Sequence, residues 1–451
     1  MKSQPIPVSF RSAEVDQILT ALRAGESCTI VGIGSVGKSN LLRFLQQDDV
    51  HQAKLGPDSD TFLFVYLDAN KLLKESLWGL WELMLHQLLI GLIDHGAHDA
   101  AIETVDDLHQ RSTEPSTQHL ALRYVDRAIR VVCRQLDLRL VFLVDEFDNL
   151  CRLLAPRGFS ALRALRDDQK YRLMYVLATR MELSRLREEV EEIESFEELV
   201  SINTIWLGPY SERDARHMVR RLNTRHRSDL DEETADDLLM ATGGHPGLLR
   251  AAYRVAIEHP ADLPRTLALS PLVQDECRRL WLSLSAEEQR AITMLANAVN
   301  ANPHQRETLE RLRHKKLVGG PWADDDDVFS PLFAEYVREQ QPVVGARIHV
   351  DRKRRMMLVN GHAVKRLPPL EYKFIEYLEE RRGHVCSRDD LAQHLYPEDM
   401  AVGAQGVSDA RLDAIVKRLR KRIKSVGGNP RYILTVRGHG FRLVDTDESA
   451  G

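Results

Sequence analysis

Two groups of residues in this chain have types and spacings that could support chemistry. The first is a glycine-rich run near the start, Gly32-Ile33-Gly34-Ser35-Val36-Gly37-Lys38-Ser39. The second is the lysine- and arginine-rich stretch 410–424, followed by Thr435-Val436-Arg437-Gly438-His439-Gly440-Phe441. Glycines let backbone N–H groups turn towards phosphate oxygens, and a cationic helix face suits the phosphates and base edges of DNA. The sequence therefore predicts that nucleotide state governs contact with DNA.

The glycine run has the context that a phosphate-binding loop requires. Residues 28–31 are apolar and β-prone, and residues 40–46 have helical spacing, which gives strand, loop and helix in that order. We expect Lys38 to reach the β- and γ-phosphates of ATP and the Ser39 hydroxyl to ligate Mg²⁺. The alternative is a glycine turn with a structural role only. The residues predicted to contact the nucleotide are Gly32, Gly34, Ser35, Val36, Gly37, Lys38, Ser39 and Asn40.

Two adjacent carboxylates follow an apolar run. Residues 141–144 read as a buried strand, and Asp145 and Glu146 come directly after it. We expect Asp145 to hold Mg²⁺ and Glu146 to act as the general base that polarises the attacking water. For Glu146 the alternative is a solvated carboxylate at a strand end.

The elements that must position these residues alternate along the chain. Residues 61–67 and 173–178 read as further strands, and helical spacing recurs in 77–93, 120–135 and 159–168. This alternation predicts a mainly parallel sheet with helices on both faces. Since ligands bind at the carboxyl ends of such strands, Thr179 and Arg180, which follow the strand 173–178, should lie at the edge that carries Asp145, Glu146 and the glycine loop.

Residues 8–340 resemble the STAND branch of AAA+-like ATPases. The resemblance rests on the glycine loop, the Asp145-Glu146 pair, Thr179-Arg180, Leu207-Gly208-Pro209-Tyr210-Ser211 and Gly243-Gly244-His245-Pro246-Gly247. It implies a sheet with a helical lid, slow ATP hydrolysis used as a switch, a γ-phosphate contact from Thr179 or Arg180, and packing of Pro246 beside the base. An ordinary Gly-Pro turn between helices is the alternative for 243–247.

The middle of the chain resembles the winged-helix arm that follows the lid in the same ATPases. Ser285 and Glu288 have capping-box spacing, and residues 319–330 read as two strands joined by an acidic turn at Asp324-Asp325-Asp326-Asp327. Residues 188–198 include seven glutamates. They form either a solvated helix or an acidic patch that docks the basic C-terminal part when DNA is absent.

The C-terminal stretch is basic, whereas the rest of the chain is acidic. Residues 345–444 contain 21 Lys/Arg and 11 Asp/Glu, against 41 and 56 elsewhere. This split is typical of a nucleic-acid-binding module attached to another body. In the helix, one apolar stripe opposes a cationic face, although such a face could also be merely solvated. The residues predicted to contact DNA are Arg411, Lys417, Arg418, Arg420, Lys421 and, in the turn of a following two-stranded wing, Arg437.

Residues 345–444 closely resemble the OmpR/PhoB-type winged-helix DNA-binding domain. The residues that carry the match are Leu367, Glu371-Tyr372, Gly383, Ser387-Arg388, Asp413, Leu419-Arg420-Lys421 and Thr435-Val436-Arg437-Gly438-x-Gly440-Phe441. The resemblance implies that Arg418 and Arg420 meet the major groove and phosphates, and Arg437 the minor groove. Ala410, Ile415 and Tyr396 depart from the family pattern, as does the Gly- and Ala-rich loop 400–407, through which members of the family contact RNA polymerase.

Length and composition bound the remaining possibilities. The chain has 451 residues with 43% hydrophobic and 29% charged content, so we expect a globular protein of several domains. The five cysteines have neither metal-ligand spacing nor a disulfide framework. No transmembrane run or signal peptide is apparent, which predicts a cytoplasmic protein without a membrane partner.

The predicted architecture is an α/β P-loop ATPase core (1–205) with a helical lid (206–268), a winged-helix arm (269–341), an OmpR/PhoB-type winged helix (345–444) and a tail (445–451). The predicted function is an ATP-switched, sequence-specific transcriptional regulator that binds double-stranded DNA and hydrolyses ATP slowly. RNA polymerase and an ATP-dependent homo-oligomer are further candidate partners. The alternative is an ATPase of replication, transposition or phage defence that uses the C-terminal domain as a DNA anchor.

Overall fold

A computed structural model gives the structure of two compact units. It describes residues 6–186, 193–259, 263–297, 306–340, 348–352, 355–359, 362–364, 367–397, 409–426, 429–436 and 438–444. One unit comprises Met1–Leu284 and Met294–Arg338, and the other Ser285–Thr293 and Glu339–Gly451. Within the described ranges, no helix is both long enough and apolar enough to cross a membrane.

A five-stranded parallel sheet forms the centre of the first unit. Its strands lie in the order β2-β3-β4-β1-β5, and every neighbouring pair is parallel. Each predicted strand is confirmed within one or two residues, because long buried apolar runs signal a strand covered on both faces. The short edge strand β5 was not predicted, since three residues carry too little pattern. The strands are β1 (Cys28–Val31), β2 (Phe62–Asp68), β3 (Arg139–Asp145), β4 (Leu173–Thr179) and β5 (Thr204–Trp206).

Helices surround this sheet and bury a shared apolar core. The core includes Phe142, Phe147, Phe159, Tyr175 and Phe196, which pack ring against ring. The three helices predicted from spacing are confirmed, and the second of them ends in a π-helical turn, Val131–Gln135. The helices are α1 (Ser12–Arg23), α2 (Lys38–Phe44), α3 (Asp48–Leu55), α4 (Leu77–Asp94), α5 (Asp99–Thr113), α6 (Ala121–Arg130), α7 (Phe147–Leu153), α8 (Pro156–Asp168) and α9 (Glu194–Ser201).

After the sheet the chain is mostly helical. The predicted capping box is confirmed: Ser285 N donates to Glu288 Oε2 at 2.9 Å and Glu288 N to Ser285 Oγ at 3.2 Å. The elements are α10 (Glu212–His226), α11 (Glu232–Thr242), α12 (Pro246–Glu258), α13 (Leu263–Leu269), α14 (Pro271–Leu282), α15 (Ala286–Ala296), α16 (Arg306–His314), β6 (Val318–Gly320), β7 (Ala323–Val328) and α17 (Pro331–Glu339).

The hairpin formed by β6 and β7 corrects one prediction. The four consecutive aspartates do not form its turn but lie within β7, and Gly320 pairs with Ala323 across a turn at Pro321-Trp322. All four aspartates are exposed. Because consecutive side chains of a strand point to opposite faces, both faces of β7 are solvated along the four aspartates, whereas the proline and the positive φ of Gly320, 140°, suit the turn better.

In its C-terminal segment, the described residues of the second unit form two small sheets and three α-helices around one core. Strands β8, β9 and β10 form an antiparallel sheet, and β11, β13 and β12 form another. The β alternation of residues 343–367 and their Asn360-Gly361 pair predict a hairpin, and the pairing of β9 with β10 confirms it, although residues 360 and 361 lie outside the described residues. The pairing of β12 with β13 confirms the predicted wing. The elements are β8 (Ile348–Asp351), β9 (Met356–Val359), β10 (His362–Val364), α18 (Pro369–Glu380), β11 (Cys386–Ser387), α19 (Arg388–Leu395), α20 (Asp409–Ser425), β12 (Ile433–Val436) and β13 (Gly440–Leu443).

Candidate nucleotide site and candidate nucleic-acid interface

The glycine loop connects the end of β1 to the start of α2, as the sequence predicts. Gly34 and Gly37 have φ angles of 48° and 100°, in the left-handed region that strains residues with a side chain. These two glycines therefore let the backbone curl back before α2 begins at Lys38. Ser39 is half-buried in the first turn of α2, and Asn40 beside it is exposed.

Lys38 points into this loop. Its side chain donates from Nζ to the carbonyl oxygen of Gly32 at 2.6 Å, and the residue is only 7% exposed. Burial lowers the pKa of Lys38, and the nearby carboxylates of Asp148 and Glu146 oppose that shift. A buried ammonium group inside a curled glycine loop fits a phosphate anion, which would supply the counter-charge.

Asp145 is held rigidly at the carboxyl end of β3. Its Oδ2 accepts a hydrogen bond from Tyr66 Oη at 2.7 Å, and its Oδ1 accepts one from the backbone N–H of Glu146 at 3.0 Å. The residue is buried, and it pairs in register with Asp68 on β2. A fixed carboxylate at this strand end and a serine hydroxyl at the start of α2 are oxygen ligands of the kind that Mg²⁺ takes, so Ser39 and Asp145 could hold the ion.

Glu146 and Arg180 form an ion pair across the ends of β3 and β4. Arg180 Nη2 donates to Glu146 Oε2 at 3.1 Å, and the arginine side chain is half-exposed. Glu146 has a φ of 52°, an uncommon left-handed conformation for a residue with a side chain. In this arrangement the carboxylate that was predicted as the base is paired with the arginine that was predicted as the phosphate sensor.

Asp148 is a site residue that sequence reasoning missed. Both oxygens of its buried carboxylate accept one bifurcated hydrogen bond from the backbone N–H of Arg180, at 3.0 and 3.1 Å. Burial raises its pKa, and the Arg180 N–H and the Lys38 ammonium group oppose the shift. The only sequence signal was a third carboxylate two positions after Glu146, which resembles any acidic first turn of a helix.

Thr179 lies at the boundary between β4 and the glycine loop. Its carbonyl oxygen accepts the backbone N–H of Gly32 at 3.0 Å, and the residue is fully buried. Its Oγ1 has no hydrogen-bond partner among the residues that the structure describes. Because a buried hydroxyl normally finds a partner, this orphaned group fits a phosphate oxygen or its metal-bound water.

A cavity of about 720 Å³ lies beside the glycine loop. Asn40 and Tyr210 connect it to the loop, since an ideal Cβ built on Gly37 would lie 3.4 Å from Tyr210 Oη. Its volume falls in the usual range for ligand sites, and several of its lining residues are arginines. The lining residues include Ile6, Phe10, Asn40, Tyr210, Asp214, His217, Met218, Arg221, Leu222, Arg225 and Arg250.

Arg11 contacts both the glycine loop and Tyr210, which lines the cavity. Its Nη2 donates to the carbonyl oxygens of Val36 at 3.0 Å and Gly208 at 2.8 Å, and its guanidinium group lies 4.6 Å from the ring centroid of Tyr210. Burial lowers the pKa of Arg11. Sequence reasoning missed this role of Arg11, because no motif connects an arginine before α1 with Val36.

The start of α12 approaches the loop from the other side. Pro246 is the first residue of α12 and is buried, although it is not among the described residues that line the cavity. The next residue, Gly247, abuts Ser35, because an ideal Cβ on Gly247 would lie 2.7 Å from Ser35 Cβ. Packing of Pro246 against a base therefore stays a prediction.

Helix α14 also contacts the loop. An ideal Cβ on Gly34 would lie 2.9 Å from Leu280 Cδ2, and one on Gly247 would lie 2.8 Å from Glu276 Oε2. Glu276 therefore sits next to Gly247 and Ser35. Its Oε1 accepts from Arg279 Nη1 at 2.6 Å, whereas its buried Oε2 has no hydrogen-bond partner within the described part of the chain.

In the second unit, α20 has the two faces that the sequence predicts. Its apolar stripe is fully buried in the unit's core, and it consists of Leu412, Ile415, Val416, Leu419 and Ile423. Arg411, Lys417, Arg418 and Lys421 are exposed. The helix therefore presents a dense row of cations to solvent while its other side anchors it.

Two of the predicted DNA contacts also hold the fold together. Arg418 Nε donates to Glu371 Oε1 at 2.8 Å, and Arg422 Nε donates to Glu371 Oε2 at 2.7 Å. Glu371 is buried, so these arginines compensate its charge. Arg420 Nη2 donates to the Ile433 carbonyl at 2.6 Å and to Thr435 Oγ1 at 2.9 Å, which joins α20 to β12.

The pairing of Arg418 leaves about half of its side chain, 54%, exposed, and Arg420 is partly buried. Burial lowers the pKa of Arg420. Contacts of both arginines with DNA stay predictions, and Arg437 lies outside the described residues.

Comparisons with known proteins found a family model that matches the C-terminal part of the chain. Residues 362–443 match the family described as transcriptional regulatory protein, C terminal. Over 139 residues the chain is 34% identical to the sensory transduction protein RegX3 of Mycobacterium leprae, an alignment that covers 31% of this chain and 61% of that protein. The chain thus spans less than two thirds of the length of that relative.

Two solved structures are each similar to part of the chain. The Walker-type ATPase paby2304 of Pyrococcus abyssi is 18% identical with a TM-score of 0.45, over 73% of this chain and 95% of that one. The RstA DNA-binding domain of Klebsiella pneumoniae, solved in complex with the RstA box, is 21% identical with a TM-score of 0.19, over 24% of this chain and 99% of that one.

The parallel sheet and its curled glycine loop give the first unit the fold of a P-loop ATPase. The family match and the three-helix core with its paired wing identify the C-terminal segment as an OmpR/PhoB-type winged helix.

Proposed function

We propose that the chain is an ATP-binding transcriptional regulator whose nucleotide state controls its contact with double-stranded DNA. Slow hydrolysis of ATP with Mg²⁺ would reset the switch. The proposal combines a loop and cavity that fit a nucleotide with a C-terminal domain of a family that regulates transcription. The observation that carries the proposal is the contact between α14 and the glycine loop. Helix α14 belongs to the segment that leads along the chain from the ATPase fold to the winged helix, so a nucleotide that moves α14 would act on that segment.

That contact is sensitive to charge. Glu276 places a buried carboxylate oxygen without a described partner next to Ser35 and Gly247. A triphosphate bound in the loop would bring several negative charges towards it. Since like charges repel strongly where water is excluded, ATP should displace α14 from Gly34 and Gly247. ADP, which lacks the γ-phosphate, should displace it less.

The ion pair between Arg180 and Glu146 provides a second response to the γ-phosphate. A phosphate within reach of Arg180 would compete with Glu146 for its guanidinium group. Glu146 would then be free to accept a proton from the attacking water. Mg²⁺ bound to Ser39 and Asp145 would polarise the γ-phosphate, Lys38 would neutralise its charge, and Asp148 would hold the backbone of Arg180 in place.

The test is the affinity of the full chain for a DNA site selected by the chain from random duplexes. We expect this affinity to differ by about 5- to 150-fold between the nucleotide-free state and the state with a non-hydrolysable ATP analogue, the usual range for coupling between two sites. ADP should give a smaller change. By reciprocity, DNA should tighten or weaken binding of the analogue by the same factor.

Two variants sharpen this test. Lys38→Ala should remove the response to the analogue, whereas Glu276→Gln should reduce the difference between ADP and the analogue, because the repelled charge is gone. Exposed Glu310→Gln on α16 is the matched control. Equal DNA affinity in all nucleotide states would contradict the switch and favour an ATPase that uses its winged helix only as an anchor.

The cationic face of α20 gives a separate prediction for DNA binding. Arg418→Ala should weaken binding to the selected site by about 1–3 kcal/mol if this arginine contacts a guanine. Lys417→Ala and Lys421→Ala should weaken binding to all duplexes and each lower the log–log salt slope by about one. Electrophoretic mobility shifts at several salt concentrations measure both effects.

Controls separate binding from folding in this series. Arg422 still pairs with Glu371 in the Arg418→Ala variant, so the domain should stay folded, as thermal unfolding would show. Lys373 is an exposed residue on α18, and Lys373→Ala should change neither the DNA affinity nor its dependence on salt. DNA affinity that is indifferent to salt and to Arg418 would remove α20 from the interface.

A further inference from the structure

Three side chains of the helical layer beside β2 bring together the donor set of a transition-metal site. The ligand atoms of Glu82, His86 and His109 all lie within 4.8 Å of one another. Glu82 and His86 are one turn apart on α4, and His109 is on α5. We propose that these three residues bind a Zn²⁺-class ion, with a fourth position open to water or to an effector.

The spacing is close to what a tetrahedral ion requires. His109 Nε2 lies 3.0 Å from Glu82 Oε1, and the ring centroids of His86 and His109 are 5.2 Å apart. With bonds of about 2.0–2.2 Å to nitrogen and oxygen, neighbouring ligand atoms of one ion lie roughly 3.3–3.5 Å apart. Small rotamer changes therefore suffice to bring all three atoms onto one ion.

Burial of Glu82 makes a cation at this place favourable. The Glu82 side chain is 7% exposed and His109 17%, and the residues that follow Glu82 on α4, Leu83, Met84 and Leu85, belong to the apolar core. Within the described ranges, neither lysine nor arginine forms an ion pair with Glu82. Since a buried carboxylate is costly without a cation, a bound ion would supply the charge that a single histidine provides only when protonated.

The frame around the three residues is fixed before an ion arrives. Trp78 Nε1 on α4 donates to the carbonyl oxygen of Ser112 at 2.8 Å, and Ser112 Oγ donates to the carbonyl oxygen of His109 at 2.6 Å. The first bond ties the end of α5 to the start of α4, and the second lies within α5. Pre-organised ligands lose little entropy on binding. Two imidazoles with one carboxylate favour Zn²⁺, Co²⁺ or Ni²⁺ over Mg²⁺ and Ca²⁺, which prefer oxygen ligands.

Co²⁺ is the probe for this site, because its visible absorption reports its coordination. The whole 451-residue chain, freed of transition metals and kept in excess Mg²⁺ without nucleotide, should gain the absorption band of four- or five-coordinate Co²⁺ with one ion per chain, and Zn²⁺ should remove the band. His86→Ala and His109→Ala should each weaken Co²⁺ binding about 100-fold or more, since even losing an outer-shell partner costs 10- to 100-fold.

Matched variants locate the ion. His95→Ala and His119→Ala remove exposed histidines of the same layer and should leave the band unchanged. Asp145→Asn should also retain it, which separates this site from the glycine loop. Unchanged Co²⁺ affinity in the His86→Ala/His109→Ala double variant, or absence of the band in the wild-type chain, would overturn the proposal.

Thermal unfolding is the second measurement. Zn²⁺ at about 100 times its dissociation constant should raise the midpoint of the first unit by roughly 5 °C. Glu82→Gln keeps a hydrogen-bonding partner for His109 and should fold without metal, yet it should lose this rise. If Glu82→Gln lowers the metal-free midpoint while Zn²⁺ does not affect the wild-type chain, the pair of Glu82 and His109 is structural only and the proposal is wrong.

Discussion

Replacement of Lys38 by alanine is expected to lower the affinity for ATP about 100-fold. The buried ammonium group is already inside the glycine loop, held by the Gly32 carbonyl at 2.6 Å. A charge-assisted hydrogen bond from such a group contributes roughly 1.5–3 kcal/mol, and about 1.4 kcal/mol corresponds to a tenfold change in affinity. Titration with a fluorescent ATP analogue in the presence of Mg²⁺ measures the loss.

The variant should otherwise resemble the wild-type chain. Lys38 donates its hydrogen bond to one backbone carbonyl, that of Gly32, which can accept from water instead, so the midpoint of thermal unfolding should change little. Lys170→Ala, an exposed lysine after α8, is the matched control and should bind the analogue normally. An unchanged affinity in Lys38→Ala would show that the glycine loop does not bind nucleotide.

The second large effect is expected for Glu146→Gln, which should bind ATP normally but hydrolyse it about 10²–10⁴ times more slowly. A positioned general base contributes a factor of that size, and glutamine cannot accept the proton. The substitution leaves Asp145 and Ser39 intact, so the predicted Mg²⁺ site survives. It also keeps the strained backbone, since glutamine meets the same penalty as glutamate at a φ of 52°.

Phosphate release under single-turnover conditions measures this effect separately from binding. Glu198→Gln, whose carboxylate is 67% exposed and pairs with Arg163, serves as the control. Arg180→Ala should slow hydrolysis as well. It removes the guanidinium group that pairs with Glu146 and is expected to bind the γ-phosphate instead when ATP is present. Hydrolysis at the wild-type rate in Glu146→Gln would exclude Glu146 as the base.

The sequence by itself determined the local elements and the residue types they present. The glycine run predicted the loop between β1 and α2, since only glycines adopt φ angles such as those of Gly34 and Gly37 without strain. Apolar runs predicted β2, β3 and β4, and helical periodicity predicted the buried stripe of α20. These features are local, because each depends on fewer than 20 consecutive residues.

Only the tertiary structure decided which of these elements touch. The order of strands places β4 between β1 and β3, so that Thr179 meets Gly32 and Arg180 meets Glu146, and no local pattern specifies such an order. Contacts across long stretches of sequence, such as Arg11 with Gly208 or Arg418 with Glu371, depend on the packing of whole layers.

The same reason explains what sequence reasoning missed. In the sequence, Asp148 is one ordinary acidic residue among many. In the structure, its helix places its carboxylate where it accepts a hydrogen bond from the backbone N–H of Arg180. In the sequence, Glu276 looks like one acidic residue of an exposed helix. In the structure, α14 packs against the glycine loop and brings Glu276 next to Gly247. A periodic pattern predicts which face of a helix or strand is buried. Which other element packs against that face depends on shape and charge complementarity across the whole unit.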